Sequence, residues 1–327
     1  MGFIQNLYGR YEDFIDYSEK RLGNNTASII YVLIAIVTNC AMVIFSKINA
    51  DELPPVQGQV YRGILVTSLV YIYSKHKGIS LDVPDKSKNR LRIIRNLIAG
   101  SFNIVLAYIV TKIPMSTCML IQTSSPFIIA FLDHIFHKTT YTKIEMIFSF
   151  VSMSGVIFII KPDLFFQIDA PNLTQYGYAE GTERLFWIIL FVIATILWSG
   201  SVVMLKYLKE LNPMAMNFPF GICLAVNSAL LQVTYEQVKV VSFWLLIQVP
   251  IIFGLITFIN QHTYVKSIQL GKPAKISMLT NLSVVISFGF EIFYLKESAH
   301  WASLIGSVLI VGSSLILSIS RLEQSPK

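Results

Sequence analysis

Arg62 is the side chain whose type and position in this sequence point most directly to chemistry. It lies in an apolar run predicted to cover residues 53–73, roughly 12 Å along the helix that such a run would form. An ionisable group at that depth is costly unless it faces a cavity or a partner, and a guanidinium can hold a carboxylate through two parallel hydrogen bonds. Arg62 is therefore the first candidate for binding an organic anion. The alternative is a structural arginine that bonds backbone carbonyls or extends to the membrane surface.

Neutral polar residues inside the apolar runs form a second set of candidates. Gln122 and Ser125 lie in one run and Asn281 in another, and the helical rise places all of them roughly 10 to 12 Å into their helices. Such groups line substrate cavities, but the same side chains also join neighbouring helices by hydrogen bonds, and both interpretations remain open. Further candidates for lining a cavity are Asn39, Asn103, Asn217, Asn260 and His262, the last of which could also carry a coupling proton.

Two acidic residues near the ends of apolar runs are candidates for gates. Asp133 and Glu291 have lysines close by in sequence, Lys138 and Lys296, and such ion pairs could break alternately as a protein opens to either side. Solvation at the membrane interface is the alternative. The two histidines that follow Asp133 are too few for a metal site, so we predict neither a metal nor a cofactor.

The composition indicates a membrane protein. Of the 327 residues, 54% are hydrophobic and 14% charged, and the mean hydropathy is +0.60, far from the balance of a soluble domain. Three cysteines within apolar runs give no disulfide or metal pattern. Ten runs are long enough to cross a hydrocarbon layer about 30 Å thick. They are 27–46, 53–73, 93–111, 114–135, 144–160, 185–205, 213–233, 242–264, 273–294 and 301–320.

The distribution of Lys and Arg predicts the orientation. Most of these residues, with the densest group between positions 74 and 95, fall on the side shared by both termini, so both termini are expected in the cytoplasm. The net charge of +7 is then a signal of topology and of anionic lipid, and no nucleic-acid partner is expected. Residues 1–26 form a cytoplasmic segment that is either an interfacial amphipathic helix or a solvated tail, residues 161–184 an outer loop, and residues 321–327 a cytoplasmic tail.

The chain divides into two halves, 27–160 and 185–320, with five runs each. Because five is odd, the second half must cross the membrane in the opposite direction to the first. Matching residues recur at a nearly constant separation of 158 or 159: Lys47 with Lys206, Pro54 with Pro213, and Asp133 with Glu291. The sequence thus predicts an all-α membrane protein of ten transmembrane helices arranged as two inverted five-helix repeats, the architecture of alternating-access carriers.

Two stretches carry a family resemblance. The first hairpin, "SKINADELPPVQGQVYR", and the last two runs, "PAKISMLTNLSVVISFGFEIFYLKESAHWASLIGSVLIVGSSLIL", resemble the drug/metabolite transporter superfamily, in particular its EamA-type members and the solute carrier family 35 proteins of the G type. The resemblance implies ten helices with cytoplasmic termini. Members that carry phosphorylated solutes often have a basic pair in the ninth span, and here no cation lies between Lys275 and Lys296. That absence lowers the expectation of a phosphorylated or nucleotide-linked substrate.

The predicted function is secondary-active transport of a small polar organic solute, with an organic anion held by Arg62 as one option and a proton or counter-solute as the coupling partner. The alternative is a membrane sensor or regulatory subunit with the same fold that does not transport. No nucleophile and base, paired aspartates or metal ligands indicate an enzyme.

Small residues in the last run, such as Gly306 and Gly312, suit close packing or a homodimer seam. Both the plasma membrane and an endomembrane remain open as locations.

The orientation predicts where the chain can be glycosylated. Asn172 begins a sequon in the outer loop and Asn24 begins one before the first span, and only a sequon on the lumenal or extracellular side can be modified. In a eukaryotic secretory membrane we expect the protein to carry an N-glycan, seen as a loss of apparent mass on glycosidase treatment. Asn172→Gln should remove this glycan and Asn24→Gln should leave it in place. A mass lost with Asn24→Gln would mean that the orientation is inverted.

Overall fold

The described part of the chain is helical throughout. The computed structural model describes residues 23–42, 44–45, 48–49, 52–109, 112, 118, 121–122, 124–138, 143–160, 181–235, 238–293 and 301–319. Its helices are α1 (Gly23–Met42), α2 (Pro55–Lys77), α3 (Lys86–Ile109), α4 (Ser125–His137), α5 (Lys143–Ile160), α6 (Gly181–Tyr207), α7 (Pro213–Tyr235), α8 (Phe243–Leu270), α9 (Pro273–Leu279), α10 (Leu282–Phe293) and α11 (Trp301–Ile319). No strand occurs in these ranges, and each of the ten predicted spans contains a described helix, which confirms the predicted all-α fold. By length and apolar composition alone, α1, α3, α6, α7 and α8 are each sufficient to cross a membrane.

The start of each repeat's second helix explains the polar hairpins in the sequence. Pro55 begins α2 after an extended Pro54, and Pro213 begins α7 after Asn212, whose side-chain oxygen accepts a 2.9 Å hydrogen bond from the Met214 N–H. Proline suits the first helical position because its missing N–H would have no partner there. The repeat in the sequence pairs Pro213 with Pro54, 159 residues earlier. The first residues of the two helices are 158 apart, so in the structure Pro213 corresponds to Pro55.

The crossing of α2 and α7 brings the two halves of the described structure into close backbone contact. A Cβ added to Gly63 would lie 2.5 Å from the Ala225 backbone nitrogen, and one added to Gly221 would lie 2.3 Å from the Thr67 hydroxyl. Gly221 follows Gly63 by 158 residues, and Ala225 follows Thr67 by the same number. Each helix therefore presents a glycine and, four residues later, a threonine or an alanine to the other, as expected where a pseudo-two-fold axis passes through the crossing.

The last helices of the two halves, α5 and α11, also pack closely on each other at glycines. In α5, a Cβ on Gly155 would lie 2.7 Å from the Gly306 carbonyl oxygen of α11. The α5–α11 and α2–α7 pairs are the most extensive helix contacts of the described part. Gly306, one of the small residues of the last span, thus serves packing within the chain.

Helix α3 begins earlier than its predicted span. The sequence predicts a start near residue 93, but the helix starts at Lys86, where the Asp85 carboxylate accepts hydrogen bonds from the N–H groups of Ser87 and Lys88. Arg92 and Arg95, which the sequence places at the cytoplasmic boundary of this span, consequently lie within a packed helix, and both are buried.

Spans eight and nine depart from regular α-helix. In α8 the residues Pro250–Ile256 form π-helical turns, since Pro250 has no N–H to donate to the preceding turn. The ninth span is interrupted at Thr280 and Asn281, where the N–H of Asn281 bonds the Met278 carbonyl three residues back. The Ser124 N–H bonds the Ile121 carbonyl in the same manner just before α4. The chain therefore tightens at equivalent points of both repeats, where the polar residues of the fourth and ninth spans lie.

The α2–α7 crossing yields a stability prediction. Gly63→Ala places a methyl group against the α7 backbone, and overpacking of this kind typically costs about 1–3 kcal/mol. We expect a lower midpoint of thermal unfolding in detergent for Gly63→Ala. The matched control is Gly200→Ala in α6, where a Cβ would meet nothing within 4 Å, and it should unfold at the same temperature or slightly higher, because alanine favours a helix more than glycine does. Equal midpoints for the two variants would contradict the close crossing.

Candidate functional site

Arg62 is buried between α2 and α3. Its side chain is 7% exposed, and its Nη1 donates to the Asn103 side-chain oxygen at 3.2 Å and to the Gln59 side-chain oxygen at 3.3 Å. The Nε has no partner within the described residues. Asn103 is fixed in turn, because its amide donates to the Ala99 carbonyl at 2.8 Å. The structure therefore brings together two of the residues predicted to line a cavity.

The partners of Arg62 are neutral. None of the ion pairs found among the described side chains includes this arginine, and removing an unpaired cation from water costs several kcal/mol. The helical rise places Arg62 about 10 Å from the start of α2. Arg62 thus lies between the Pro55 end and the midpoint of α2.

Arg95 is a second buried cation, which sequence reasoning assigned to topology rather than to a site. Its side chain is 1% exposed, and its Nη1 donates to the Asn96 side-chain oxygen at 2.6 Å. The Nε of Arg95 also lacks a partner in the described ranges. The signal for this residue was helical spacing: Arg92, Arg95, Ala99 and Phe102 lie on one buried face of α3.

Arg92 and Asn96 have a structural task at the start of α7. Pro219 lies inside α7, and because proline has no N–H it leaves the Ala215 carbonyl without its helical donor. Arg92 Nη1 donates to that carbonyl at 2.9 Å and to the Leu81 carbonyl at 2.8 Å, and the Asn96 amide donates to the Met216 carbonyl at 2.8 Å. Arg92 thus replaces the bond that the α7 backbone cannot make, and Asn96 adds a second contact between α3 and the same turn of α7.

The other predicted amides do not converge on Arg62. Asn260 of α8 donates to the Ala35 carbonyl at 2.6 Å and to the Thr38 hydroxyl at 3.1 Å, which ties α8 to α1. Asn281 donates to the Ser152 hydroxyl of α5 at 3.1 Å. Both amides therefore join helices.

The remaining cavity candidates are dispersed. Asn39 is exposed on α1, Gln122 is half-buried, and Ser125 is buried at the start of α4. Asn217 is buried in α7, and its side-chain oxygen has no partner among the described residues. His262 is buried in α8 with its ring 6.5 Å from that of Phe258.

Asp133 has other partners than the sequence suggests. It is fully buried near the end of α4, 2.9 Å from the His137 Nδ1 and 3.7 Å from the Lys206 Nζ of α6. Lys138, the predicted partner, is exposed just beyond the end of α4. The pairing of Asp133 with Lys138 therefore stays a prediction, whereas Lys206 approaches Asp133 from the packed helix α6. The side chains of Glu291 and Lys296 lie outside the described part.

Comparison with known proteins then decides the family. The profile of the EamA-like transporter family matches residues 26–161 and again residues 185–319, one match for each half. The chain belongs to the EamA-like transporter family. It is an integral membrane protein that crosses the bilayer several times, and the paired matches agree with the two inverted repeats and with the resemblance seen in the sequence.

Individual EamA-like relatives are distant. Human solute carrier family 35 member G1 is 20% identical over 244 residues, which is 74% of this chain and 66% of the human protein. A riboflavin transporter of Brucella anthropi is 23% identical over 236 residues, 69% of this chain and 75% of that protein. One solved crystal structure superimposes on 91% of this chain and 98% of its own with a TM-score of 0.74 at 14% identity. This last likeness shows the fold alone.

The Arg92 contact can be tested by a double-mutant cycle with Pro219. Arg92→Ala leaves the Ala215 carbonyl without a donor and should lower stability by about 1–3 kcal/mol. Pro219→Ala restores an N–H to α7, so Arg92→Ala should cost less in that background. Thermal unfolding of the four proteins measures the difference, with Arg90→Ala, an exposed arginine of the same helix, as the control. The same loss in both backgrounds would mean that Arg92 does not substitute for the missing N–H.

Proposed function

We propose that the protein is a secondary-active carrier that moves a small organic anion across a membrane by alternating access. The observation that carries this proposal is Arg62, a buried cation whose partners among the described side chains are two neutral amides. Amide oxygens compensate a guanidinium only in part, whereas an anionic ligand would compensate it fully and could use its fork of donors. A buried guanidinium with only neutral partners therefore favours an anion over a cation or a neutral solute.

Membership of the EamA-like family supports transport, and a relative named a riboflavin transporter supports an organic solute. The two inverted repeats support alternating access, since exchange of the conformations of the two halves would open the same site to either side. We further propose cytoplasmic termini and coupling to a proton or a counter-solute. Asp133 with Lys206 is the ion pair that we propose to break when the site opens towards the α4 end of the bundle.

Arg62 can be tested by ligand binding. Purified protein in detergent is screened by thermal shift against carboxylates, amino acids, nucleosides, nucleotide sugars and polyamines, where a ligand at 100 times its Kd should add about 2.7 kcal/mol of stability. For the anion that binds, Arg62→Ala should raise the Kd about 10- to 100-fold, because a charge-assisted hydrogen bond contributes about 1.5–3 kcal/mol. Arg90→Ala removes an exposed arginine and is the matched control.

Ligand-free stability separates a ligand arginine from a structural one. If Arg62 only joins α2 to α3, Arg62→Ala should lower the unfolding midpoint of the empty protein, since Asn103 and Gln59 would lose their donor. If Arg62 awaits a ligand, removing an uncompensated cation should leave that midpoint unchanged or raise it. A lower midpoint with unaltered anion affinity would overturn the proposed role.

Uptake into proteoliposomes distinguishes a carrier from a sensor with the same fold. A carrier should fill the vesicle lumen with labelled anion well beyond the amount of protein present, and an anion loaded inside should accelerate the exchange. Retention of only a stoichiometric amount, by protein that binds the anion in detergent, would favour the non-transporting sensor.

A further inference from the structure

The buried carboxylate of Asp133 has two basic side chains at the same oxygen. Its Oδ1 lies 2.9 Å from the His137 Nδ1, one turn further along α4, and 3.7 Å from the Lys206 Nζ of α6. Asp133 is fully buried, whereas the side chains of His137 and Lys206 are 13% and 24% exposed. We call these three residues the carboxylate cluster. One cation compensates a single buried negative charge, so the imidazole and the ammonium compete for the carboxylate.

The carboxylate cluster lies where the two repeats meet. Helix α4 belongs to the first repeat and α6 to the second, and beside the cluster the Tyr207 hydroxyl donates to the Phe136 carbonyl at 2.9 Å. The Tyr207 ring also lies against the His137 imidazole, with ring centroids 4.2 Å apart. When the halves move apart at this end, Asp133 loses Lys206 but keeps His137, because His137 is on the same helix.

His137 is the neutral member of the cluster while the contact is closed. It lies two residues beyond the predicted run 114–135, and burial lowers its pKa, an effect that Asp133 opposes and Lys206 reinforces. Its Nε2 is buried and makes no hydrogen bond to a described atom. With Nδ1–H directed at Asp133, a proton must bind Nε2, where it would form a buried N–H without an acceptor. Water that enters on opening supplies that acceptor.

The other ionisable groups on the helices around this end of α4 are not acidic. In the described part of the chain they are His134 and Lys138 after Asp133, Lys206 and Tyr207 at the end of α6, and Lys275 on α9, which also packs on α4. Asp133 is therefore the carboxylate with which a protonated His137 can pair.

We propose that His137 is the site of a coupling proton, which binds Nε2 when Lys206 leaves Asp133 and is released when Lys206 returns. The charges balance, since the ammonium of Lys206 moves into water as a proton from water binds His137, and Asp133 keeps one cation throughout. This inference rests on the proposed carrier and assigns a residue to the coupling proton proposed there. In the proposed orientation the cluster faces the cytoplasm, so acid on that side favours the conformation open to it.

The proton affinity of His137 tests the competition. Full-length protein with isotope-labelled histidine is titrated in detergent from about pH 8 to about pH 5 by NMR, and the His137 signal is the one missing from His137→Gln. Lys206→Met should raise the proton affinity of His137 about 10-fold or more, because it removes the competing charge. Lys209→Met removes an exposed lysine just beyond α6 and should leave the affinity within about twofold. Equal affinity in the unmodified protein and in Lys206→Met would overturn the proposal.

The distance between α4 and α6 tests the coupling of the proton to movement. Spin labels on Ile135→Cys and Lys209→Cys, two exposed positions, report this distance by pulsed electron paramagnetic resonance. The native cysteines, Cys40, Cys118 and Cys223, are first replaced by alanine. As the pH falls through the pKa that His137 has without Lys206, the closed contact loses stability relative to the open one. By reciprocity, acid should raise the ratio of long to short distances by up to the same factor of about 10.

Histidine variants identify the group that responds to pH. His137→Gln should keep the short distance at both ends of the titration, whereas His134→Gln, an exposed histidine of the same helix, should preserve the change. Distances that do not respond to pH, or a response that persists in His137→Gln, would overturn the proton site. This measurement leaves Lys206 in place, so it decides the matter even if Lys206→Met fails to fold.

The outcomes separate this inference from the proposed function. Failure of both His137 tests, in a protein whose anion affinity depends on Arg62, would overturn the proton site and leave the anion carrier standing. A folded protein that binds no organic anion, but shows the change of distance that requires His137, would overturn the carrier and retain the proton site.

Discussion

The close contact of α2 with α7 is the constraint on which the rest of the bundle depends. Gly63 and Gly221 allow the two backbones to touch, and since the helices belong to opposite repeats, this contact fixes where the two halves meet. Helix α3 then packs on α7 through Arg92 and Asn96, and on α2 through Asn103 and Arg62. The interior face of α3, which carries Arg95, and the neighbouring Arg62 of α2 take their positions from these contacts.

Most of the fold could be predicted from the sequence because a lipid bilayer allows few structures to cross it. A hydrocarbon layer requires long apolar helices with internally paired backbones, so hydropathy located all ten spans, and an odd number in each half determined the inversion. The early start of α3 escaped the same reasoning. In a hydropathy average, Lys86, Arg92 and Arg95 count against a span, although Asp85 caps the helix and both arginines are buried, Arg92 against the α7 backbone. Whether a charged side chain can be buried depends on its partners, and a hydropathy average contains no information about them.

The candidate site was less accessible to sequence reasoning. Arg62 could be identified because depth alone makes a cation conspicuous, but the partner of an amide depends on which helix lies opposite. Asn260 and Asn281 accordingly proved to join neighbouring helices. The stacked rings of Phe102 and Trp198 lay beyond prediction for a different reason. Cys40 lies 158 positions before Trp198 and Asn260 lies 158 positions after Phe102, so this ring pair has no counterpart at the equivalent positions of the two repeats, and the internal repeat gave no indication of it. A symmetric scaffold here holds an asymmetric interior.

The bond from Arg92 to the Ala215 carbonyl has a consequence for how this sequence can change over time. While Pro219 is present, loss of Arg92 strands a buried carbonyl, and once position 219 regains an N–H, Arg92 becomes a buried cation with less to do. Loss of Arg92 first passes through a less stable protein, whereas loss of Pro219 first does not, because the helix then makes its own bond to the Ala215 carbonyl. A mutational path between this sequence and one lacking both residues is therefore expected to replace Pro219 before Arg92.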